Sequence, residues 1–146
     1  MVKQNMSKIK ILFVCIHNSA RSQMAEAFVN TYYRNKFYVE SAGIEPGTLN
    51  PLVVKSMSEI GIDISKNLTK DVFTFFKEGR LFDYVITVCD EASGQRCPIF
   101  PGALKTINWS FEDPSTLVGA EDDKLIKIAV IRDRIKNKID EFLKTL

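Results

Sequence analysis

Ile11-Leu12-Phe13-Val14-Cys15-Ile16-His17-Asn18-Ser19-Ala20-Arg21-Ser22 is the stretch on which the fold of this chain turns. An apolar run rich in β-formers stops at a cysteine. Arginine and serine stand six and seven positions later, and helical periodicity then begins. A strand, a tight loop and a helix N-terminus follow from that pattern. Backbone N–H groups of such a loop point inward, and the helix dipole adds partial positive charge. A tetrahedral oxyanion fits there, bounded by Ile16, His17, Asn18, Ser19, Ala20 and Arg21. The same field stabilises a thiolate, which makes Cys15 a nucleophile and not just a small residue that ends a core strand. Arg21 can grip an oxyanion with a two-pronged hydrogen bond. Ser22 can donate to the Cys15 sulfur. Asn18 tolerates left-handed backbone, though a plain turn role accounts for it almost as well. His17 reads as a loop side chain.

Outward from this stretch, strands and helices alternate. Ile9 to Val14 is the first strand. Ala20 to Tyr33 is a helix with Met24, Ala27, Phe28 and Tyr32 on one face. Phe37 to Ser41 is a short strand ended by Ala42-Gly43. Pro51 to Ile60 is a helix with Asn50 as N-cap and Gly61 as its stop. A helical segment starts at Asp71 and ends near Gly79. Strands follow at Asp83 to Val88 and Lys105 to Trp109. Glu121 begins a long amphipathic helix whose apolar positions are Ile128, Ile131, Ile135, Ile139, Phe142 and Leu146. The expected fold is α/β: one three-layer domain over residues 1–146, with a four-stranded parallel sheet covered by helices on both faces. Ligands of such sheets bind beyond the carboxyl ends of the strands, where Cys15 and Cys89 both fall.

Composition narrows the function classes. A net charge of +2 is too small to make nucleic acid or an anionic membrane the main partner. No segment approaches the roughly 20 apolar residues of a membrane span, and a cytoplasmic location is the expectation. His17 is the only histidine and there is no Cys-x-x-Cys, which argues against a Cys/His zinc site and a Ser-His-Asp triad. Cys89 and Cys97 taken alone are two incidental cysteines. Asp113-Pro114 taken alone is a turn.

Cys15 to Ser22, continuing into Gln23-Met24-Ala25-Glu26, resembles the phosphate loop of the low-molecular-weight protein tyrosine phosphatase superfamily. Arg21 to Glu26 is similar to the thioredoxin-coupled arsenate reductases in particular; the phosphatases usually carry proline where Gln23 stands. The resemblance extends over Ser41-Ala42-Gly43, Gly61 to Ser65, the Cys89 to Pro98 segment, Asp113-Pro114 and Arg132-Asp133. It implies an arsenate reductase in which Cys15 attacks arsenate, Cys89 attacks the Cys15 sulfur, and Cys97 takes over the disulfide. Asp113 is the implied general acid. Phosphate or sulfate would bind as analogues, and thioredoxin or another thiol reductant would restore the thiols. A monomer is expected. The alternative is a protein tyrosine or arginine phosphatase with two idle cysteines, but Ser115 and Thr116 stand where the tyrosine-specific phosphatases typically carry aromatic residues.

Two further points come from the resemblance. Cys89 and Cys97 are eight positions apart, one more than in the best-known reductases. The segment between them, with Asp90, Glu91, Ser93, Gly94, Gln95 and Arg96, is polar enough to rearrange as disulfide exchange demands. Some reductases of this kind also bind potassium, and the matching oxygen ligands are Asn18, Glu26, Ser41 and Asp71.

Overall fold

Strand β1 (Ile9–Cys15) lies inside a four-stranded sheet of order β2-β1-β3-β4, in a computed structural model that describes residues 8–89 and 97–146. It pairs in parallel with β2 (Phe37–Gly43) on one side and β3 (Tyr84–Thr87) on the other. Strand β4 (Lys105–Asn108) pairs in parallel with β3. The chain leaves β1 in one direction to form β2, then returns past it to form β3. Such a reversal opens a crevice at the carboxyl end of the central strand, and Cys15 is the residue that ends β1.

Because β1 is covered on both faces from Ile11 on, its side chains there are apolar without alternation. Ile11, Phe13 and Cys15 face one core, shared with Met24 and Phe28 of α1 (Arg21–Tyr32) and Val53 and Met57 of α2 (Pro51–Ser58). Leu12 and Val14 face a second core with Ala42, Val85, Phe100, and Val72 and Phe75 of α3 (Val72–Lys77). The long helix α4 (Glu121–Leu143) adds Ile128, Ile131, Ile135 and Ile139, the expected stripe, to the first of these cores. Arg132 of α4 is buried and donates to the carbonyl of Ser56 at 2.8 Å, which ties α4 to α2. Among the described residues, no helix is long and apolar enough to cross a membrane.

Several boundaries shift from expectation, each for a local reason. Strand β2 runs past Ser41 to Gly43, because Ala42 and Gly43 continue the parallel pairing with Val14 and Cys15. The Asn50 side chain caps α2 by accepting from the Leu52 and Val53 N–H groups, and the helix closes at Ser58, before Ile60. Asp71 is the cap of α3 and not its first residue, since its carboxylate accepts the Phe73 N–H at 2.8 Å. Tyr32 is half exposed and not in the core. It ends α1, stacks on Phe28, and carries the Lys136 ammonium 5.2 Å above its ring.

Candidate active site

The Cys15–Arg21 loop is shaped by the segment after β2. The carbonyls of Cys15, Ile16, His17 and Ser19 accept hydrogen bonds from the N–H groups of Ile44, Glu45, Gly47 and Asn50, at 2.7 to 3.1 Å. Carbonyls tied outward in this way leave the concave side of the loop to N–H groups, the setting an oxyanion needs. The neighbouring strand has to come very close. A Cβ on Gly43 would stand 2.8 Å from the Asn18 nitrogen and the His17 carbonyl carbon, so only glycine fits. His17 is exposed, and its Nδ1 donates to the Glu45 carbonyl at 2.8 Å.

Two groups meet the Cys15 sulfur: the Ser22 hydroxyl at 2.8 Å and the Asn18 N–H at 3.2 Å. Asn18 is the one non-glycine residue with positive φ among those described, at 54°. It is fully buried, and all four of its side-chain hydrogen-bond positions are used. Nδ2 donates to Ser22 Oγ at 2.7 Å and to Ser41 Oγ at 2.9 Å. Oδ1 accepts from Gln23 Nε2 and from the Lys70 N–H, each at 3.0 Å. The Lys70 N–H can only donate, which fixes which end of the amide is oxygen. The consequence reaches the sulfur: the Ser22 oxygen already accepts from Asn18, so its own proton is directed to Cys15. Gln23, also buried, donates to the Leu68 carbonyl and accepts from Asn67 Nδ2, each at 3.0 Å. It clamps the 67–70 segment beneath the loop.

Arg21 is buried and points toward the Asp113 segment. Its guanidinium donates to the Phe111 carbonyl at 3.0 Å and lies 3.5 Å from Asp113 Oδ2. Asp113 Oδ1 accepts from the Ser115 N–H at 2.9 Å and the Ser115 hydroxyl at 2.8 Å, which starts the short 3-10 turn Pro114–Thr116. One oxygen of the carboxylate therefore shapes its own turn and the other faces the arginine. The candidate acid and the candidate anion-binding arginine, far apart in the chain, are brought together.

All three cysteines are thiols. Cys89 is fully buried in the same core cluster as Cys15, two residues beyond the end of β3. Cys97 packs against the opposite core. Burial, and secondarily the neighbouring Cys89, push its thiol up to about 12. The segment 90–96 between them lies outside the described residues, and with it Asp90, Glu91, Ser93, Gly94, Gln95 and Arg96.

Of the four residues matched to a potassium site, Asn18, Ser41 and Glu26 are joined by hydrogen bonds, and all four engage protein partners. Asp71 turns its carboxylate to the α3 N-terminus. Asn18 Oδ1 is taken by two N–H donors. Glu26 accepts from the Ser41 hydroxyl and pairs with the Lys70 ammonium at 3.0 Å. Among the described residues, no cluster of three His, Cys, Asp or Glu side chains could hold a metal. Lys70 and the Phe111 carbonyl had no signal in the sequence. Gln23 had one, in standing where proline is usual in the phosphatases.

The chain is similar to known proteins over most of its length. An arsenate reductase of Bacillus subtilis (strain 168) is 42% identical over 135 residues, covering 92% of this chain and 95% of that one. A solved arsenate reductase in the phosphate binding state superposes with a TM-score of 0.74 at 29% identity, covering 94% of this chain and 98% of the other. A thioredoxin-dependent arsenate reductase of Corynebacterium glutamicum has a TM-score of 0.70 at 30% identity, over 94% of this chain and 61% of that chain. The family model described as low molecular weight phosphotyrosine protein phosphatase matches residues 10–146. With the Cys15–Arg21 loop, the Asp113 turn and all of the parallel sheet but Ile9 inside that match, the chain belongs to the low molecular weight phosphotyrosine protein phosphatase family.

Proposed function

We propose that this protein reduces arsenate to arsenite, with Cys15 as nucleophile and Cys89 and Cys97 as the source of electrons. One observation carries the choice of reduction over hydrolysis. Cys89 is buried in the same cluster as Cys15, beyond the end of the strand that pairs directly with β1. Neighbouring strands run about 4.8 Å apart, within the Cα separation a disulfide needs. A hydrolase has no use for a thiol there. The 42% identical relative is an arsenate reductase, which supports the same choice.

The steps are those the resemblance implies, set on the residues of this site. Arsenate enters the loop opposite Arg21, whose paired N–H groups match two of its oxygens. The Cys15 sulfur attacks arsenic. Asp113 supplies a proton to the departing oxygen, which leaves as water. The Cys89 thiolate then attacks the Cys15 sulfur. A sulfur–sulfur bond forms, the sulfur–arsenic bond breaks, and its electron pair stays on arsenic, which leaves as arsenite. Cys97 attacks Cys89 next and releases Cys15 as a thiolate. The remaining Cys89–Cys97 disulfide is reduced by an external dithiol; the thioredoxin-dependent relative makes thioredoxin the reductant to try first. Because Cys97 is half-buried and held far above the ordinary thiol range, it has to move toward solvent before it can attack.

The test is a single turnover of the reduced protein with arsenate, with arsenite quantified and disulfides mapped by mass spectrometry. One equivalent of arsenite and a Cys89–Cys97 disulfide are expected. Cys89→Ser is expected to release no arsenite while still hydrolysing an aryl phosphate at Cys15. Arsenite release by Cys89→Ser refutes the role of Cys89, and three intact thiols with no arsenite from the parent refute reduction and leave a phosphatase.

A further inference from the structure

We propose that the ammonium group of Lys70 is the resident cation of the phosphate loop: it holds the place beside Glu26 that a dissolved monovalent cation would take, and makes oxyanion binding independent of potassium. The proposal rests on the Cys15–Arg21 loop as the oxyanion site, but not on the reduction of arsenate.

Glu26 stands directly behind the loop with only 15% of its side chain exposed. A carboxylate so placed needs a counter-charge, or it repels any anion that enters in front of it. Its Oε1 receives both the Ser41 hydroxyl and Lys70 Nζ, the latter at 3.0 Å. From Ser41 the hydrogen bonds run on through Asn18 Nδ2 to Ser22, and from Ser22 to the Cys15 sulfur. Charge at Glu26 is thus felt along one continuous chain that ends at the nucleophile.

Lys70 is placed for this by more than its side chain. Its N–H donates to Asn18 Oδ1 at 3.0 Å, and its carbonyl accepts the Gly43 N–H at 2.7 Å. Three groups of one residue therefore brace the loop: one on Asn18, one on the strand end that presses against it, one on Glu26. The backbone contacts fix where the ammonium falls. A second cation at Glu26 would meet it at short range and be repelled. Lys70 is in this sense a positioning residue, acting through Glu26 and Asn18 and not on the substrate.

The test reads binding of inorganic phosphate by calorimetry at constant ionic strength, in potassium chloride and in choline chloride. The parent is expected to bind equally in both. Lys70→Met is expected to bind roughly threefold to tenfold more weakly in choline, as for loss of a half-buried ion pair, and to recover in potassium. Lys70→Arg is expected to retain parental binding in both salts. Should Lys70→Met fold poorly, Glu26→Gln/Lys70→Met removes the charge that needs a partner; it is expected to fold and to bind phosphate without regard to the cation. Potassium dependence in the parent overturns the proposal. So does parental binding by Lys70→Met in choline, or a loss in Lys70→Met that neither potassium nor the second substitution relieves. Arsenite formation is not read, so failure of the reductase assignment leaves these outcomes intact; absence of phosphate binding by the parent refutes the loop itself.

Discussion

Substitution of Asn18 separates what holds the loop together from what activates the sulfur. Asn18→Gly keeps the backbone at its φ of 54° and removes all four side-chain hydrogen bonds. The Ser22 and Ser41 hydroxyls can turn to other partners, and Gln23 still has the Leu68 carbonyl. The Lys70 N–H loses the acceptor it has. One orphaned buried donor costs about 1–3 kcal/mol and each ordinary bond about 1 kcal/mol, so Asn18→Gly should destabilise by about 3 kcal/mol. Asn18→Ala should add about 1–2 kcal/mol for the left-handed backbone. Asn18→Asp behaves differently. It keeps an acceptor for Lys70 and Gln23 but turns a double donor into an acceptor. Ser22 then donates to the introduced carboxylate and no longer to Cys15. Loss of one hydrogen bond to a charged sulfur, worth about 1.5–3 kcal/mol, predicts a fall of about 10- to 150-fold in single-turnover rate. Urea unfolding gives the first set of values and rapid-quench turnover the second. If the loss runs through Ser22, Asn18→Asp combined with Ser22→Ala is no slower than Ser22→Ala alone. The reasoning is refuted by an Asn18→Gly protein within about 0.5 kcal/mol of the parent, a margin below one ordinary hydrogen bond, or by a fully additive double variant.

The remaining predictions use other parts of the structure. With its thiol raised to about 12, Cys97 holds about one part in ten thousand as thiolate at pH 8, against roughly a quarter for an ordinary cysteine near 8.5. Iodoacetamide should therefore label it about a thousand times more slowly in the native protein than in urea, and equal rates would refute the buried placement. The sign for stability follows: the folded state holds the Cys97 proton more tightly, so this contribution is whole below the unfolded thiol range and is lost as pH climbs toward 12. Gly43→Ala puts a methyl 2.8 Å from loop backbone and should cost about 1–3 kcal/mol, with weaker phosphate binding by calorimetry. Arg132→Met strips the Ser56 carbonyl of its donor and should lower Tm by about 5 °C while leaving turnover unchanged, as scanning calorimetry and arsenite release would report.

The part of the site that could be read from sequence is the part whose geometry is local. Cys15, Asn18, Arg21 and Ser22 lie within one strand–loop–helix turn, where spacing alone decides which groups meet. The long helix was legible for the same reason, since Ile128 to Ile139 repeat on one face. What escaped depends on contacts between distant segments. Lys70 looks like a solvated lysine beside an aspartate until the backbone of residues 67–70 is seen clamped under the loop by Gln23. Ser41 was grouped with Asn18 and Glu26 only through the resemblance, and the hydrogen bonds that join the three come from segments far apart in the chain. Tyr32 fits the apolar periodicity of α1 and still faces outward, because the helix ends there and its ring finds Lys136. Asp113 was identifiable only through the resemblance, since an Asp-Pro pair by itself is an ordinary turn.

The two cores have a consequence for the order of the redox steps. Cys15 and Cys89 belong to one side of the sheet and Cys97 packs on the other. The sheet thus works as insulation between two contacts of a circuit. In the proposed relay, Cys97 would meet Cys89 around the rim where the strands end, and not Cys15 through the sheet. Layout would set the order of the steps in that relay alongside the raised thiol of Cys97. A direct bridge between the first and last thiol of the proposed relay would have to cross the same hydrogen-bonded wall that holds the protein together.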